Sequence, residues 1–288
     1  MSTAALRTTL LVLVALTSLL HLLTLAQFFH AGLSDRFLRL DPFRWAELFV
    51  WVLGTVAAVL GAVGVVKAFR APKDPLPAQL SFPIVFSFTA SLFQLFFLLL
   101  RRPAEDAMGQ PEPWWIALVW LWPLVYLATS MAYFARVGGL VPTGEVQWVG
   151  GWRRLGGWVL DILVVLSLLL MNVRALAFTG SVLDDVPYFH DSPYPLISVM
   201  LFVYFFSTEV VFLRTLGKVA TGTFVVVERR RMLTILGRTL LRYIPLEAFS
   251  FLGRHTGWHD EFSNTSVRRA LPRVPAASAV TAPEGTAA

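Results

Sequence analysis

The chain has 288 residues, 56% of them hydrophobic and only 15% charged, with a mean hydropathy of +0.66. A soluble domain carries about 25% charged residues, so this is a polytopic membrane protein rather than a soluble globule. Cysteine is absent, which excludes disulfides, thiolate nucleophiles and cysteine metal sites. The net charge of +6 does not imply nucleic acid, because the basic residues flank apolar runs as the positive-inside rule places them.

Six apolar runs approach the roughly 20 residues that cross a bilayer. They are Thr8–Phe29, Ala46–Val66, Ser81–Leu100, Trp114–Phe134, Gly157–Phe178 and Tyr194–Leu216. The first is about twice as long as a signal-peptide core and lacks a clear cleavage site, so it reads as a retained helix. His21 and Gln27 lie within it, and a neighbouring hydroxyl or carbonyl is the expected partner for the histidine. In the second run Gly54, Ala58 and Ala62 recur every four residues, a spacing that lets helices approach closely. Pro83 opens the third run and Pro123 is expected to kink the fourth.

A seventh run, Met232–Leu252, is interrupted by Arg238, Arg242, Pro245 and Glu247 and is expected to lie in the interface or enter partway. The expected fold class is therefore all-α: six transmembrane helices plus a C-terminal interfacial or partly inserted amphipathic helix. The expected divisions are a four-helix N-terminal transmembrane region over 1–146, a membrane domain over 147–269 and a disordered tail over 270–288.

Counting Lys and Arg with the N-terminus inside puts eighteen of the 24 on the inner side, five outside and Arg174 within a span. Both termini are then cytoplasmic in a multi-pass protein of the bacterial plasma membrane. The Arg- and Ala-rich composition suits a GC-rich bacterial genome.

The unusual charges lie after Gln147. Arg154 and Asp161 are seven apart and share a helix face, about 10 Å apart along the axis at 1.5 Å per residue. Glu209 sits in the last apolar run, at a depth similar to Asp161. Two carboxylates in one low-dielectric zone repel, so one is protonated or a cation lies between them. Arg154, Arg214, Lys218, Arg238 and Arg242 are the nearby cations. Two readings stay open: a closed salt-bridge network that locks the helices, or a cation- or proton-binding site in a cytoplasmic vestibule.

Outside the last span but one, Arg174 faces Asp184, Asp185 and Asp191, an arrangement read as a surface ion pair without the ligand spacing of a calcium site. His255 and His259 are four apart beside Asp260, but Gly257 interrupts the helix a zinc pair needs and no H-E-x-x-H pattern is present. P-loop, nucleophile-elbow and dinucleotide fingerprints are absent from the sequence, so neither catalysis nor a cofactor or metal is expected.

Four stretches occur in order over about residues 151–269: "RRLGGWVLDILVV", "FFSTEVVFLRTLGKVATGTFVVV", "LGRTLLRYIPLEAFSFLG" and "GWHDEFSNTSV". Together they resemble the RDD family of bacterial integral membrane proteins, named for one Arg and two Asp. The resemblance implies that Arg154, Asp161 and Asp260 are the naming residues, with Glu209, Thr215, Gly217, Lys218, Gly222, Arg238, Arg242, Pro245 and Thr265 at further family positions. Gly157 stands where the family has Ala, Leu216 replaces a common Pro, and "SVRR" is more basic than usual.

The resemblance implies a small helical domain with polar cytoplasmic ends and, by inheritance, transport of ions or small ligands through the charged site. The alternative is a non-catalytic scaffold or accessory subunit, with a charge cluster that fixes helix packing and a basic face that binds anionic lipid headgroups or a membrane partner. The candidate network is Arg154, Asp161, Glu209, Lys218, Arg238, Arg242 and Asp260. Gly217 is expected to permit a sharp exit from the last span. "TFVVV" reads as a short extended piece, and Asp260 is expected to reach back to Arg229–Arg231.

Overall fold

The computed structural model describes residues 1–30, 42–72, 75–100, 114–140, 146–179, 194–227, 231–243 and 257–270. Long helices dominate: α1 (Thr3–His30), α2 (Pro42–Arg70), α3 (Ser81–Leu100), α4 (Trp114–Val137), α5 (Gly151–Thr179) and α6 (Tyr194–Phe212). Shorter elements follow: α7 (Leu216–Ala220), α8 (Arg231–Leu241) and α9 (Trp258–Phe262), with strands β1 (Val146–Trp148), β2 (Thr223–Val227) and β3 (Thr265–Ala270). The tail beyond Ala270, Pro245, Glu247, His255 and the 180–193 loop with its aspartates all lie outside the described residues.

Among the described residues, five helices are long and apolar enough to cross a membrane: Thr3–Thr24, Trp45–Arg70, Ala78–Leu99, Gly151–Val173 and Tyr194–Phe212. The protein is thus a mostly helical membrane protein. The expected fourth span corresponds to α4, 24 residues long with Pro123 inside it; it is not among these five. Of the seventh run, α8 is described as an 11-residue helix.

Helix α1 packs on α2, and α2 on α5. Small residues make the first contact possible, since a Cβ on Gly61 would fall 2.4 Å from Ser18 Oγ and one on Gly54 would fall 2.3 Å from the His21 ring. Ala57 and Ala58 are buried in the same region, so the small-residue stripe serves contacts within the chain. The core runs through both halves. Phe88 and Phe134 meet Phe212 edge-on, with ring centroids 4.9 Å apart in each case.

The all-α expectation misses one element. β1, β3 and β2 form a three-stranded antiparallel sheet in that order, with Trp148 opposite Arg268 and Phe224 opposite Arg268 on its other side. Thr223–Val227 is β-branched or aromatic throughout and suits a pleated surface. Its partner β3 carries two arginines. The Arg268 guanidinium lies 3.3 Å from the centroid of the Trp148 ring, so the charge is placed against an aromatic face.

Candidate functional site

The site begins where α6 ends. Glu209 occupies the last turn of α6, and Leu213 then takes a left-handed conformation at φ 59°. A non-glycine residue there is strained by roughly 1–2 kcal/mol. Hydrogen bonds hold it: Leu213 N–H donates to the Glu209 carbonyl at 3.0 Å, and its own carbonyl accepts from Val225 N–H at 2.9 Å. The buried C-terminal carbonyls of α6 are also satisfied. Val211 O accepts from Arg231 Nη2 at 2.8 Å and Phe212 O from Leu140 N–H at 2.9 Å.

Thr215 then caps α7, its hydroxyl accepting from Lys218 N–H at 3.3 Å. The expected role of Gly217 changes here. It lies inside α7, not at the end of α6, and the positive φ of the exit belongs to Leu213. Glycine is required because α7 presses its backbone against the first turns of α5 at Gly157.

That close approach places Asp161. Gly217 N–H donates to its Oδ1 at 2.7 Å, Tyr204 OH to Oδ1 at 2.5 Å and Thr215 Oγ1 to Oδ2 at 2.6 Å. The Tyr204 hydroxyl also accepts from Leu216 N–H at 3.0 Å. Three donors, from α6, the α6–α7 connection and α7, therefore surround a carboxylate of α5 that is 1% exposed. This was not anticipated in the sequence, where Asp161 and Glu209 stood as a repelling pair in need of a shared proton or cation. Tyr204 and Thr215 are the missed partners.

Glu209 is neutralised on its own. Its carboxylate meets Lys218 Nζ at 2.7 Å, Arg242 Nη2 at 2.6 Å and Arg238 Nε at 3.1 Å. Arg242 also stacks over the Phe205 ring at 4.4 Å. Arg214, counted among the nearby cations, lies instead over Phe224 at 5.5 Å.

Asp260, in the first turn of α9, is the second anionic centre. Arg154 and Arg238 both pair with it, and Arg238 also donates to Thr265 Oγ1 at 2.6 Å. Arg154 thus bridges to Asp260 from across the chain and not to Asp161 on its own helix. Asp260 receives Arg238, and of the Arg229–Arg231 run expected to meet it only Arg231 is described, where it holds the end of α6; Arg229 and Arg230 lie outside the described residues. Arg238 is 1% exposed and joins the two anionic centres through one planar fork.

His259 is buried next to Asp260, its Nε2 3.5 Å from Oδ1. Burial holds the imidazole well below its usual pKa, and the surrounding guanidiniums add to that. Burial also draws the Lys218 ammonium down to about 8, against the opposing pull of Glu209.

All seven candidate residues are brought into one buried region. They form a saturated carboxylate site at Asp161 and a chain of ion pairs running Lys218 and Arg242 to Glu209 to Arg238 to Asp260 to Arg154. Among the described residues no group of three metal-ligating side chains is present.

Elsewhere, a cavity of about 300 Å³ lies between α1, α2 and α3, with His21, Trp51 and Gln94 in its wall. The Thr55 hydroxyl is 3.4 Å from His21 Nε2.

Comparison with protein-family models, curated proteins and solved structures returns no match for this chain.

Proposed function

We propose that this chain is a non-catalytic membrane scaffold or accessory subunit, with an RDD-like C-terminal half in which the charge network acts as a clamp. In this reading the protein crosses the bacterial plasma membrane six times, α4 included, and both termini are cytoplasmic. The clamp lies at the cytoplasmic side, and the basic face beyond it meets anionic lipid headgroups or a membrane partner.

One observation carries the reading. Every carboxylate of the network is already satisfied by the protein itself: Glu209 by three cations, Asp260 by two guanidiniums and Asp161 by three donors. A site that loads cations needs acids without counter-charges or donors of their own, and each of these already has its own. What the arrangement does is tie α5, α6, the α6–α7 connection, α7, α8 and α9 to one another. Buried ion networks are a poor source of net stability but specify a unique packing.

The second reading is transport of ions or small ligands. It draws on the small cavity that Arg154, Asp161, Lys218 and Arg242 line together.

Purification after mild crosslinking, with ion flux measured in reconstituted liposomes, separates the two. The clamp reading expects a stoichiometric partner and flux no greater than in empty liposomes. Ion flux that disappears in Asp161→Asn would overturn it in favour of transport. Orientation has its own test, because the chain has no native cysteine. An impermeant maleimide applied to intact cells is expected to label Ser34→Cys and Ser181→Cys but not Ser278→Cys; the reverse pattern would invert the topology.

A further inference from the structure

Helix α8 is amphipathic in the reverse sense. Met232, Leu233, Leu236 and Leu240 fall within about 100° of its circumference at 3.6 residues per turn, and Tyr243 follows in the turn that ends it. That stripe faces outward: Met232, Leu233, Leu240 and Tyr243 are 43% to 63% exposed, and Leu236 is half-buried. The opposite arc carries Ile235, Arg238 and Thr239, all buried, with Arg242 in the same line. A helix on a soluble protein turns its apolar stripe to the core and its charges to water. Here the charges go inward, to Glu209 and Asp260, and the apolar stripe is left outside.

The path of α8 shows what medium that stripe meets. Its contacts follow α6 along its length. Arg231 Nη2 donates to the Val211 carbonyl at 2.8 Å, the Arg242 guanidinium lies 4.4 Å from the Phe205 ring centroid, and the Tyr243 hydroxyl donates to the Ser198 carbonyl. From Val211 to Ser198 α6 covers about 20 Å, and from Arg231 to Tyr243 the chain covers about 18 Å, at 1.5 Å per residue. The two helices therefore run antiparallel, side by side. A helix lying flat in the interface would meet an upright one at a single level. Because α6 is long and apolar enough to cross a membrane, a helix that follows it is carried to the same depth. The described chain resumes at Gly257, and Asp260 just beyond is paired with Arg154 at the start of α5. The chain is then back at the end of the bundle from which α8 set out.

We propose that α8 is a re-entrant membrane segment. It enters the bilayer beside α6 from the side of the clamp and turns its apolar stripe to the acyl chains of that leaflet. The inference rests on the clamp reading, because arginines are costly in hydrocarbon unless they are paired, and Glu209 and Asp260 supply the partners. Glu209 thereby gains a second role: an acid placed on a spanning helix admits a cationic helix to the membrane.

The test uses the full chain in phosphatidylcholine–phosphatidylglycerol vesicles. The chain has no native cysteine, so Leu233→Cys and Leu240→Cys each carry a single environment-sensitive fluorophore. The two positions share a face, and Leu240 lies about 10 Å further along the axis. Quenching is compared between a lipid with its nitroxide at the headgroup and one with it midway down the acyl chain. The ratio of acyl to headgroup quenching is expected to be about twofold or more higher at Leu240→Cys than at Leu233→Cys, since the step in depth matches the whole burial of an interfacial helix. Aqueous iodide is expected to quench the Leu240→Cys label least. Adding Glu209→Gln is expected to abolish the difference, because α8 loses the acid that holds its arginines and moves to the surface. The two labels in the parent chain decide the matter whether or not that variant folds.

Equal headgroup quenching at both positions would overturn the proposal and lay α8 flat on the interface. So would labels that neither nitroxide quenches, joined by disulfide-linked dimers of unlabelled Leu240→Cys; these would show a second copy of the chain covering the stripe. Thermal unfolding of Glu209→Gln keeps the two ideas apart. A lowered Tm in that variant with no depth difference in the parent removes the insertion and leaves the clamp, whereas an unchanged Tm removes the clamp on which insertion depends.

Discussion

Gly217 and Gly157 approach so closely that a Cβ on Gly217 would lie 1.9 Å from the Gly157 carbonyl oxygen and 2.9 Å from Asp161 Cγ. The contact is backbone against backbone, so no side-chain rotation relieves it. Gly217→Ala is expected to push α7 off α5 and cost about 3 kcal/mol, the upper part of the usual range for overpacking. Gly157→Ala is expected to be mild, because its Cβ would sit 3.2 Å from the Gly217 carbonyl oxygen and the gain in helix propensity offsets the crowding. Thermal unfolding of both variants in detergent checks the asymmetry; equal losses would show that the two glycines do not differ in this way.

The Tyr204 hydroxyl sits between Asp161 Oδ1 and Leu216 N–H, donating to one and accepting from the other. Tyr204→Phe keeps the ring and removes only this bridge. It leaves a buried N–H without its acceptor and takes one donor from a buried carboxylate. A loss of about 1–3 kcal/mol is expected. Thr215→Val removes another donor to the same carboxylate, at Oδ2. A double-mutant cycle on unfolding free energies is expected to show coupling between the two, because both serve one acid; strict additivity would contradict a shared role.

Arg238 belongs to both anionic centres at once. Arg238→Met strips a cation from Glu209 and another from Asp260, and is expected to destabilise by about 3–5 kcal/mol, as when one partner of a buried pair is removed. Arg238→Lys keeps the charge but loses the fork, so it can serve one acid only and is expected to recover just part of that loss. If Arg238→Lys unfolded at the wild-type temperature, the bridging geometry would not matter.

His259 sets a pH dependence. Its ordinary pKa is 6.5, and in the fold it lies well below that because burial excludes the charged form. Arg154, Arg238, Arg242 and Lys218 add repulsion, while Asp260 sits beside the ring. As pH falls below 6.5 the unfolded chain takes up a proton that the folded one refuses, so stability is complete above that value and declines below it. Unfolding midpoints between pH 7 and 5 are expected to fall with pH, and His259→Gln is expected to flatten the slope. A slope unchanged in His259→Gln would assign the dependence to another group.

How much could be read in advance differs between elements. The long helices announce themselves, because crossing a bilayer demands about 20 apolar residues in succession and that demand is local. The sheet does not. β1 is three residues long, and β3 carries arginines in the place of an apolar alternation, so each becomes a strand only on finding its partner. The candidate charges stood out as ions beside apolar runs, yet their pairing did not follow from spacing. Seven residues placed Arg154 and Asp161 on one face, but the chain joins Arg154 to a residue 106 positions away. Tyr204 carried no signal, since a hydroxyl in an apolar run is ordinary until a carboxylate is placed against it, and Thr215 stood out only through the resemblance, without a partner assigned to it.

By itself, then, the sequence determined that this is a membrane protein of long helices with its ionic residues gathered late in the chain, because hydrophobic length and charge placement act residue by residue against the bilayer. Only the tertiary structure decided which acid meets which base, that Gly217 serves a contact and not a turn, and that one arm of Arg242 meets no acceptor among the described residues. Those outcomes depend on the path of α7 across α5 and the return of α8 and α9, and a buried charge takes its partner from whatever the fold brings within about 3 Å.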